Sequence, residues 1–165
     1  MEHALSNNAI VRQLYLGLTL RRSASVTQKP PQPVDLAAAY TFLEDGGAAL
    51  VVPGGDQFWR SIMTGPPFTP EVDRVVHGSG WLAAQHVITS DSIAWERHPN
   101  GSELLVMLSG AMDIVFDMDS DHIRVGLTAG NAILIPAAIW HRQLVRTAGA
   151  YLGVTYGRGT EHRAL

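Results

Sequence analysis

Three side chains of types that bind metal ions lie close together in the sequence, at Glu96, His98 and Glu103. Between them, Asn100-Gly101 readily adopts positive φ, which predicts a β-hairpin with His98 and Glu103 as near cross-strand neighbours. Glu96 precedes His98 by two residues, and on a strand this spacing points both side chains to the same face. Two carboxylates and an imidazole then share one small volume, which is unfavourable unless a cation or an arginine compensates the negative charge.

The composition limits the kinds of protein to which this cluster can belong. A chain of 165 residues with 46% hydrophobic content is long enough for one domain with a substantial core. The net charge of -3 and the scattered arginines argue against a nucleic-acid partner. The sequence has no cysteine, so any metal must be bound by nitrogen and oxygen.

Hydrophobic segments give no sign of a membrane partner. No apolar run approaches the roughly 20 residues that a helix needs to span a bilayer. Residues 14–20 form a short apolar piece, but Arg21 and Arg22 follow it, whereas a secretory signal has its basic residues in front. We therefore expect a cytoplasmic protein.

Residues 1–34 differ from the rest of the chain and are predicted to form an N-terminal extension. They end in the proline-rich spacer 29–33, and leucine alternates with other residues through 14–20. The alternation is typical of a strand that adds to a sheet of a partner subunit, and the Pro/Ser/Gln-rich boundary is typical of a disordered arm. The sequence leaves both interpretations open.

Residues 35–165 are predicted to form a single all-β domain preceded by a short helix. Asp35 is placed to cap a helix over residues 35–44, and Gly46-Gly47 to end it. Short β-type runs with Gly, Pro, Asn and Asp between them then indicate a sandwich or barrel. These runs are 48–52, 57–63, 80–88, 92–98, 103–108, 112–118, 122–127, 132–135, 141–145 and 150–156.

A second ligand candidate, His141, follows a short predicted strand. Gly130 supplies a turn, four apolar residues make a buried strand, Pro136 ends it, and His141 opens the next strand after a short loop.

The two stretches together resemble the motifs of the cupin family. The first cupin motif runs Gly, five residues, His-x-His, three or four residues, Glu, six residues, Gly, and here His98, Glu103 and Gly110 match its spacing. Glu96 stands where the family has the first histidine of His-x-His. Glycine is also absent from the expected start of the motif, where Ser90, Asp91 and Ser92 stand.

The second cupin motif runs Gly, five residues, Pro-x-Gly, two residues, His, three residues, Asn. Gly130, Pro136 and His141 match it, with Ala138 at the second glycine and Val145 at the asparagine. The resemblance covers residues 80–156 and implies a small single-domain cupin, which is a jelly-roll β-barrel with a metal at its mouth.

By this resemblance His98, Glu103 and His141 occupy metal-ligand positions. Glu96 is then either a fourth ligand, which favours a hard ion such as Mn(II) or Fe(II) and leaves Zn(II) and Ni(II) possible, or a general base beside a two-His, one-carboxylate site. The alternative is a cupin without metal, in which an arginine neutralises the carboxylates or one carboxylate is protonated. Strand alternation argues against the arginine form, because it points Arg97 and Arg142 to the opposite face.

Five further residues are candidates for lining the pocket. Gln143 shares the face of His141, Leu105 and Met107 share the face of Glu103, His86 lies on the preceding strand, and Tyr156 ends the last predicted strand. Each has packing as its simpler alternative role.

Two functions follow from this resemblance. The first is a metal-dependent enzyme of the oxygenase or isomerase type that acts on a small molecule. The alternative is a binding or sensing module that holds a small ligand without converting it. Cupins of this size commonly dimerise, so we expect a homodimer.

Overall fold

The computed structural model describes residues 31–118, 121–156 and 158–165, without the side chain of Asp56. The chain divides into two units, Met1–Gln32 and Pro33–Leu165. In the described part of the chain, every helix and strand belongs to the second unit. The strand predicted at residues 14–20 lies outside the described residues.

The second unit is built mainly of antiparallel strands, so the all-β prediction is confirmed. Its elements in chain order are β1 (Ala39–Glu44), β2 (Ala49–Pro53), α1 (Gly55–Thr64), α2 (Pro70–His77), β3 (Gly80–Ile88), β4 (Ala94–Arg97), β5 (Glu103–Met118), β6 (Asp121–Thr128), β7 (Ala132–Ile135), β8 (His141–Tyr156) and β9 (Glu161–Ala164). Within the described ranges, neither helix has the length and hydrophobicity that crossing a bilayer requires.

The first hairpin replaces the helix predicted over residues 35–44, and that prediction is wrong. Strand β1 alternates between Tyr40 and Phe42, which are buried, and neighbours that are more exposed. This period of two wins over the capping signal of Asp35, whose carboxylate instead accepts a hydrogen bond from the N–H of Ala37 in a turn.

Both helices follow that hairpin, and the strand predicted over residues 57–63 is wrong. Phe58 and Ile62, four residues apart, pack on the same apolar cluster, as on one face of a helix. Helix α2 begins with the cap of Thr69, whose Oγ1 accepts a hydrogen bond from the N–H of Val72, and Pro70 occupies its first turn.

The strands form two sheets that share the long strands β5 and β8. One sheet has the order β2-β1-β3-β8-β5-β7 and contains the first half of β5 and the second half of β8. The other has the order β6-β5-β8-β4-β9 and contains the remaining halves. Because both long strands pass from one sheet into the other, the arrangement is a jelly roll.

Glycines sit where the two long strands change sheet. Gly110 has φ 77°, and a Cβ there would lie 2.6 Å from the carbonyl oxygens of Thr147 and Ala148. A Cβ on Gly149 would lie 2.0 Å from the carbonyl oxygen of Ser109. The pairing register shifts between residues 107 and 112, so the strands bend at this corner, and two pairs of separately predicted runs become single strands.

Two apolar clusters occupy the interior. One joins the sheets through residues such as Leu105, Met107 and Ile114, and the other packs helices α1 and α2 against β1 and β3. Ile88 belongs to the first cluster and Ala84 to the second, four residues apart on β3. Since even-numbered residues of a strand share a face, both clusters lie on the same inner face of that sheet.

The loop between β7 and β8 contains a residue with an unfavourable backbone conformation. Ala138 has φ 65°, where the cupin motif has glycine, and its N–H donates to the carbonyl oxygen of His98 at 2.9 Å. A side chain in the left-handed region costs roughly 1–2 kcal/mol. The hydrogen bond to His98 therefore helps to hold Ala138 in this strained conformation, in the loop that leads to His141.

We expect Ala138→Gly to raise the free energy of unfolding by about 0.5–1 kcal/mol, since glycine removes this strain but has greater freedom when unfolded. Urea denaturation would measure it. Ala137→Gly is the matched control, because Ala137 has no positive φ, and it should destabilise. A loss of stability in both variants would contradict the prediction.

Candidate metal centre

Glu96, His98, Glu103 and His141 meet in one cluster. Each offers a ligand atom, and these four atoms lie within 4.8 Å of one another. They come from β4, from the residue after it, and from the first residues of β5 and β8. The structure thus brings together the four residues that the sequence singles out as a metal site.

Pairing between the strands differs from the predicted hairpin. Strand β4 pairs with β8 and β9, whereas β5 pairs with β6, β7 and β8. The hairpin prediction is therefore wrong, although His98 Nε2 and Glu103 Oε2 do approach to 3.5 Å. The segment with Asn100-Gly101 connects one sheet to the other. Gly101 in this segment lies so close to Tyr156 that an added Cβ would sit 2.3 Å from the tyrosine Cβ.

His141 lies at the centre of the cluster. Its Nε2 is 3.1 Å from Glu103 Oε2 and 3.5 Å from Glu96 Oε1. The side chains of His141, His98 and Glu103 are 0%, 6% and 8% exposed, and that of Glu96 is 28% exposed. Three groups are therefore buried, and Glu96 forms the side of the cluster that solvent reaches.

Both imidazoles are held by their Nδ1 atoms. His141 Nδ1 lies 3.1 Å from the carbonyl oxygen of Ile139, and His98 Nδ1 lies 2.9 Å from Thr160 Oγ1. A carbonyl only accepts, so the proton of neutral His141 is on Nδ1 and its Nε2 lone pair points into the cluster. His98 Nε2 is buried and has no hydrogen-bond partner among the described residues. These features fit a metal site, because a ligating histidine needs a free nitrogen and a partner for the other one.

The carboxylates are also oriented by neighbours. Thr155 Oγ1 donates to Glu103 Oε1 at 2.7 Å and leaves Oε2 toward the histidines. Gln143 Nε2 donates to Glu96 Oε1 at 3.3 Å and approaches the Tyr151 hydroxyl at 3.4 Å. Each carboxylate is therefore held through its Oε1 atom by a hydrogen bond from β8.

Electrostatic coupling in the cluster is strong. Burial alone lowers the pKa of His141, but its contacts with Glu103 and Glu96 outweigh burial and raise that pKa to about 10. Burial likewise raises the pKa of Glu103, but the two adjacent imidazoles bring that pKa well below its ordinary value. Without a metal, His141 is therefore an imidazolium held by a carboxylate, and a cation at this site would take the place of its Nε2 proton.

Of the pocket residues predicted from the sequence, Gln143 and His86 lie on the inner face near the cluster. The His86 ring stacks on Tyr151 at 5.0 Å between centroids, and burial is the main cause of its lowered pKa. The pKa of Tyr151 is raised, first by burial and then by the charges of Glu103 and Glu96. This hydroxyl therefore stays protonated beside the two carboxylates.

Other pocket predictions fit less well. Leu105 and Met107 lie on the face of Glu103 but are 0% and 1% exposed, within the apolar cluster that joins the sheets. Tyr156 was wrongly assigned to the pocket: it is paired with Trp81 on the outer face, and its hydroxyl donates to Asp45. Its neighbour Thr155 is the residue that reaches Glu103, since adjacent strand residues point to opposite faces.

Arg97 and Arg142 lie on the outer face of the second sheet, as strand alternation predicts. The Arg97 guanidinium stacks on Trp140 at 4.7 Å, and that of Arg142 on Trp95 at 5.2 Å. They are therefore occupied away from the cluster.

Sequence reasoning missed several neighbours of the site, namely Tyr151, Thr155, Thr160 and His162. His162 Nε2 lies 3.8 Å from Glu96 Oε2, and it belongs to β9, which was not predicted. The exposed, polar β9 carries no hydrophobic alternation, so no local signal marks it.

No protein-family model matches the chain, and no curated protein matches it. The chain is similar to a cupin-2 domain containing protein from Shewanella frigidimarina, with 15% identity and a TM-score of 0.38, over 47% of this chain and 70% of that one. It is similar to hydroxypropylphosphonic acid epoxidase from S. wedmorenis, with 14% identity and a TM-score of 0.39, over 47% of this chain and 43% of the epoxidase. It is also similar to oxalate decarboxylase from Bacillus subtilis, described with Mn(II) centres, with 16% identity and a TM-score of 0.40, over 53% of this chain and 23% of the decarboxylase.

These similarities concern about half of this chain and give neither its reaction nor its substrate. The chain's own strands supply the evidence for its fold, through the pairing of β5 and β8 across two sheets and the meeting of both sequence motifs in one cluster. They confirm the jelly-roll fold that the sequence predicts.

Proposed function

We propose that this protein binds a divalent metal ion through His98, Glu103 and His141, with Glu96 beside it, and acts on a small molecule as an oxygenase or isomerase. The observation that carries the proposal is the buried His98 Nε2, which has no hydrogen-bond partner among the described residues and faces Glu103. An unpartnered polar atom in such a place is unfavourable, and a bound cation would remove the penalty.

The donor set defines the cations that suit the site. Two neutral imidazoles and two carboxylates cancel the charge of a divalent ion, which favours Fe, Mn, Zn or Ni bound by nitrogen and oxygen. When bound, the ion would act as a Lewis acid toward a small ligand or, as Fe(II), would support oxygen chemistry.

The residues of this chain divide the remaining work. Thr155 and the carbonyl group of Ile139 orient Glu103 and His141. Glu96 is the more exposed carboxylate and lies on the accessible side, where it can accept a proton from a ligand or complete the metal site. Gln143 holds one oxygen of Glu96 and so sets its direction.

We expect Glu103→Gln to weaken metal affinity more than the 10–100-fold typical of a residue outside the ligand set, because Glu103 is buried among the ligands. Glu96→Gln should weaken it less, since Glu96 lies at the exposed edge. Elemental analysis and chelator competition with Fe²⁺, Mn²⁺ and Zn²⁺ would measure this.

Asp113→Asn is the matched control, since Asp113 is a buried carboxylate on the outer face, paired with Arg146. Wild-type protein that contains no stoichiometric metal and gains no thermal stability from any of the three ions would refute the metal centre. The alternative function, a small-molecule sensor without metal, requires that ligand binding survive His98→Ala and His141→Ala.

The coupled pair also predicts the pH dependence of stability in metal-free protein. Because the pKa of His141 is raised to about 10, its contribution is present below its unfolded pKa of about 6.5 and is lost as the pH rises toward 10. Because the pKa of Glu103 is lowered, its contribution is present above about pH 4.3 and is lost as the pH falls. After chelator treatment, the urea midpoint should therefore fall both when the pH is raised toward 10 and when it is lowered into the acid range. If His141→Gln lost stability at alkaline pH to the same extent as the wild type does, the role given to His141 would be contradicted.

We further propose that the protein is a homodimer formed through the outer face of the first sheet. Val87, Leu134, Val51 and Leu43 on this face are 69%, 64%, 49% and 44% exposed. The other residues on this face of the described strands are uncharged as well. Examples are the cross-strand neighbours Thr41 and Ala83 and the cross-strand neighbours Val154 and Leu104. A broad uncharged face suits a self-complementary contact with a second copy.

The double variant Val87→Arg/Leu134→Arg should be a monomer by light scattering, because it would place like charges in the contact. Ile93→Arg serves as the control, since Ile93 is 90% exposed but lies outside this sheet. A wild-type monomer, or a double variant that still dimerises, would rule out this interface.

A further inference from the structure

Strand β9 runs along the outer edge of β4, and one of its faces reaches the metal centre. Glu96 is paired directly with His162, and residues opposite each other in an antiparallel pair point to the same side. Thr160, two residues before His162, is on that side as well, and its Oγ1 lies 2.9 Å from Nδ1 of His98. Strand β9 and the residue just before it therefore contact two residues of the cluster.

The opposite face of β9 attaches the strand to the sheet. The Arg163 guanidinium lies over both Trp140, at 4.7 Å, and Trp95, at 5.2 Å, and it also forms an ion pair with Asp117. Two residues earlier on the same face, Glu161 pairs with Arg97 at 2.6 Å. Arg163 contacts two rings and a carboxylate, whereas Glu161 makes a single exposed ion pair, which contributes little by itself. Arg163 is thus the main attachment of a strand whose backbone is otherwise paired only with β4 in the described part.

We propose that β9 and the residue just before it are a functional part of the metal centre, in which Thr160 positions His98 and His162 positions Glu96. Metal affinity then depends on the docking of the C-terminal strand. This inference rests on the proposed metal centre and assigns roles to residues outside its ligand set.

The role of Thr160 follows from the two nitrogens of His98. In the form able to bind a metal, the His98 proton is on Nδ1 and is donated to Thr160 Oγ1, and Nε2 is free toward Glu103. Removing the hydroxyl removes the partner that fixes this tautomer and the direction of the ring. Thr160 acts only through His98 and is a positioning residue.

The role of His162 follows from the two oxygens of Glu96. Oε1 faces His141 at 3.5 Å, and Oε2 faces His162 at 3.8 Å. The cupin motif has histidine at position 96, whereas here a carboxylate is present and the imidazole beside it comes from the other strand. His162 thus offers Glu96 a polar partner on the solvent side and turns Oε1 toward the cluster.

Thr160→Ala should weaken the affinity for Zn²⁺ and Mn²⁺ by about 10–100-fold, which is the usual effect of losing the partner of a ligating histidine. Thr160→Ser keeps the hydroxyl and should restore wild-type affinity. His162→Ala should cause a smaller loss, because its contact is longer and exposed. Affinities are measured by chelator competition on the full chain, each metal separately.

A second readout uses metal-free protein. Nitrogen-15 NMR should show His98 with its proton on Nδ1 in wild type and in Thr160→Ser, and a mixture of tautomers in Thr160→Ala. Arg163→Ala should lower metal affinity, although Arg163 does not contact the cluster. Arg124→Ala is the control and should leave metal affinity unchanged, because Arg124 is an exposed arginine that pairs with Asp113 away from β9.

The two readouts separate this inference from the metal centre itself. If wild type binds neither metal, the metal centre fails, and the tautomer measurement alone decides the role of Thr160. The role of Thr160 would be overturned if Thr160→Ala kept the wild-type metal affinity, or if this substitution left the His98 tautomer unchanged. An Arg163→Ala variant with wild-type affinity would overturn the dependence on strand docking.

Discussion

Two carboxylates and two imidazoles share a small and mostly buried volume, and the rest of the described fold surrounds this arrangement. Such a group is stable only if positive charge balances the carboxylates. His141 can supply it as an imidazolium, tied to Glu103 at 3.1 Å and to the carbonyl group of Ile139. A divalent cation can replace the proton. The same geometry therefore stabilises the metal-free cluster and would suit a divalent cation.

The long strands β5 and β8 bring these residues together. Each begins with a member of the cluster, Glu103 or His141, and each then crosses from one sheet to the other at the corner formed by Gly110 and Gly149. Adding a Cβ at either glycine would drive it into the opposite backbone. The positions of Glu103 and His141 therefore depend on the close approach of β5 and β8 at this corner.

The two faces of the second sheet have different roles: the inner face carries the candidate metal ligands, and the outer face carries the side chains that attach β9. The inner face carries the cluster, with fully buried apolar side chains such as Leu105 in the adjacent core. The outer face carries alternating tryptophan and arginine side chains, in which Arg163 lies between Trp95 and Trp140. Period-two alternation allows one short strand, β9, to serve both faces. Glu96, where the cupin motif has histidine, lies at the point where that strand meets the site.

The sequence by itself determined the fold class and the four members of the cluster, because motif spacing and strand periodicity are local properties. The same periodicity identified β3 and β7 with their observed limits and sent Arg97 and Arg142 outward. Only the tertiary structure decided that the segment around Asn100-Gly101 joins two sheets instead of forming a hairpin. It also decided that Thr155, and not Tyr156, reaches Glu103. Which strands pair depends on contacts between residues far apart in the chain, and β9 shows this most clearly, since its exposed, polar residues gain their positions only from β4.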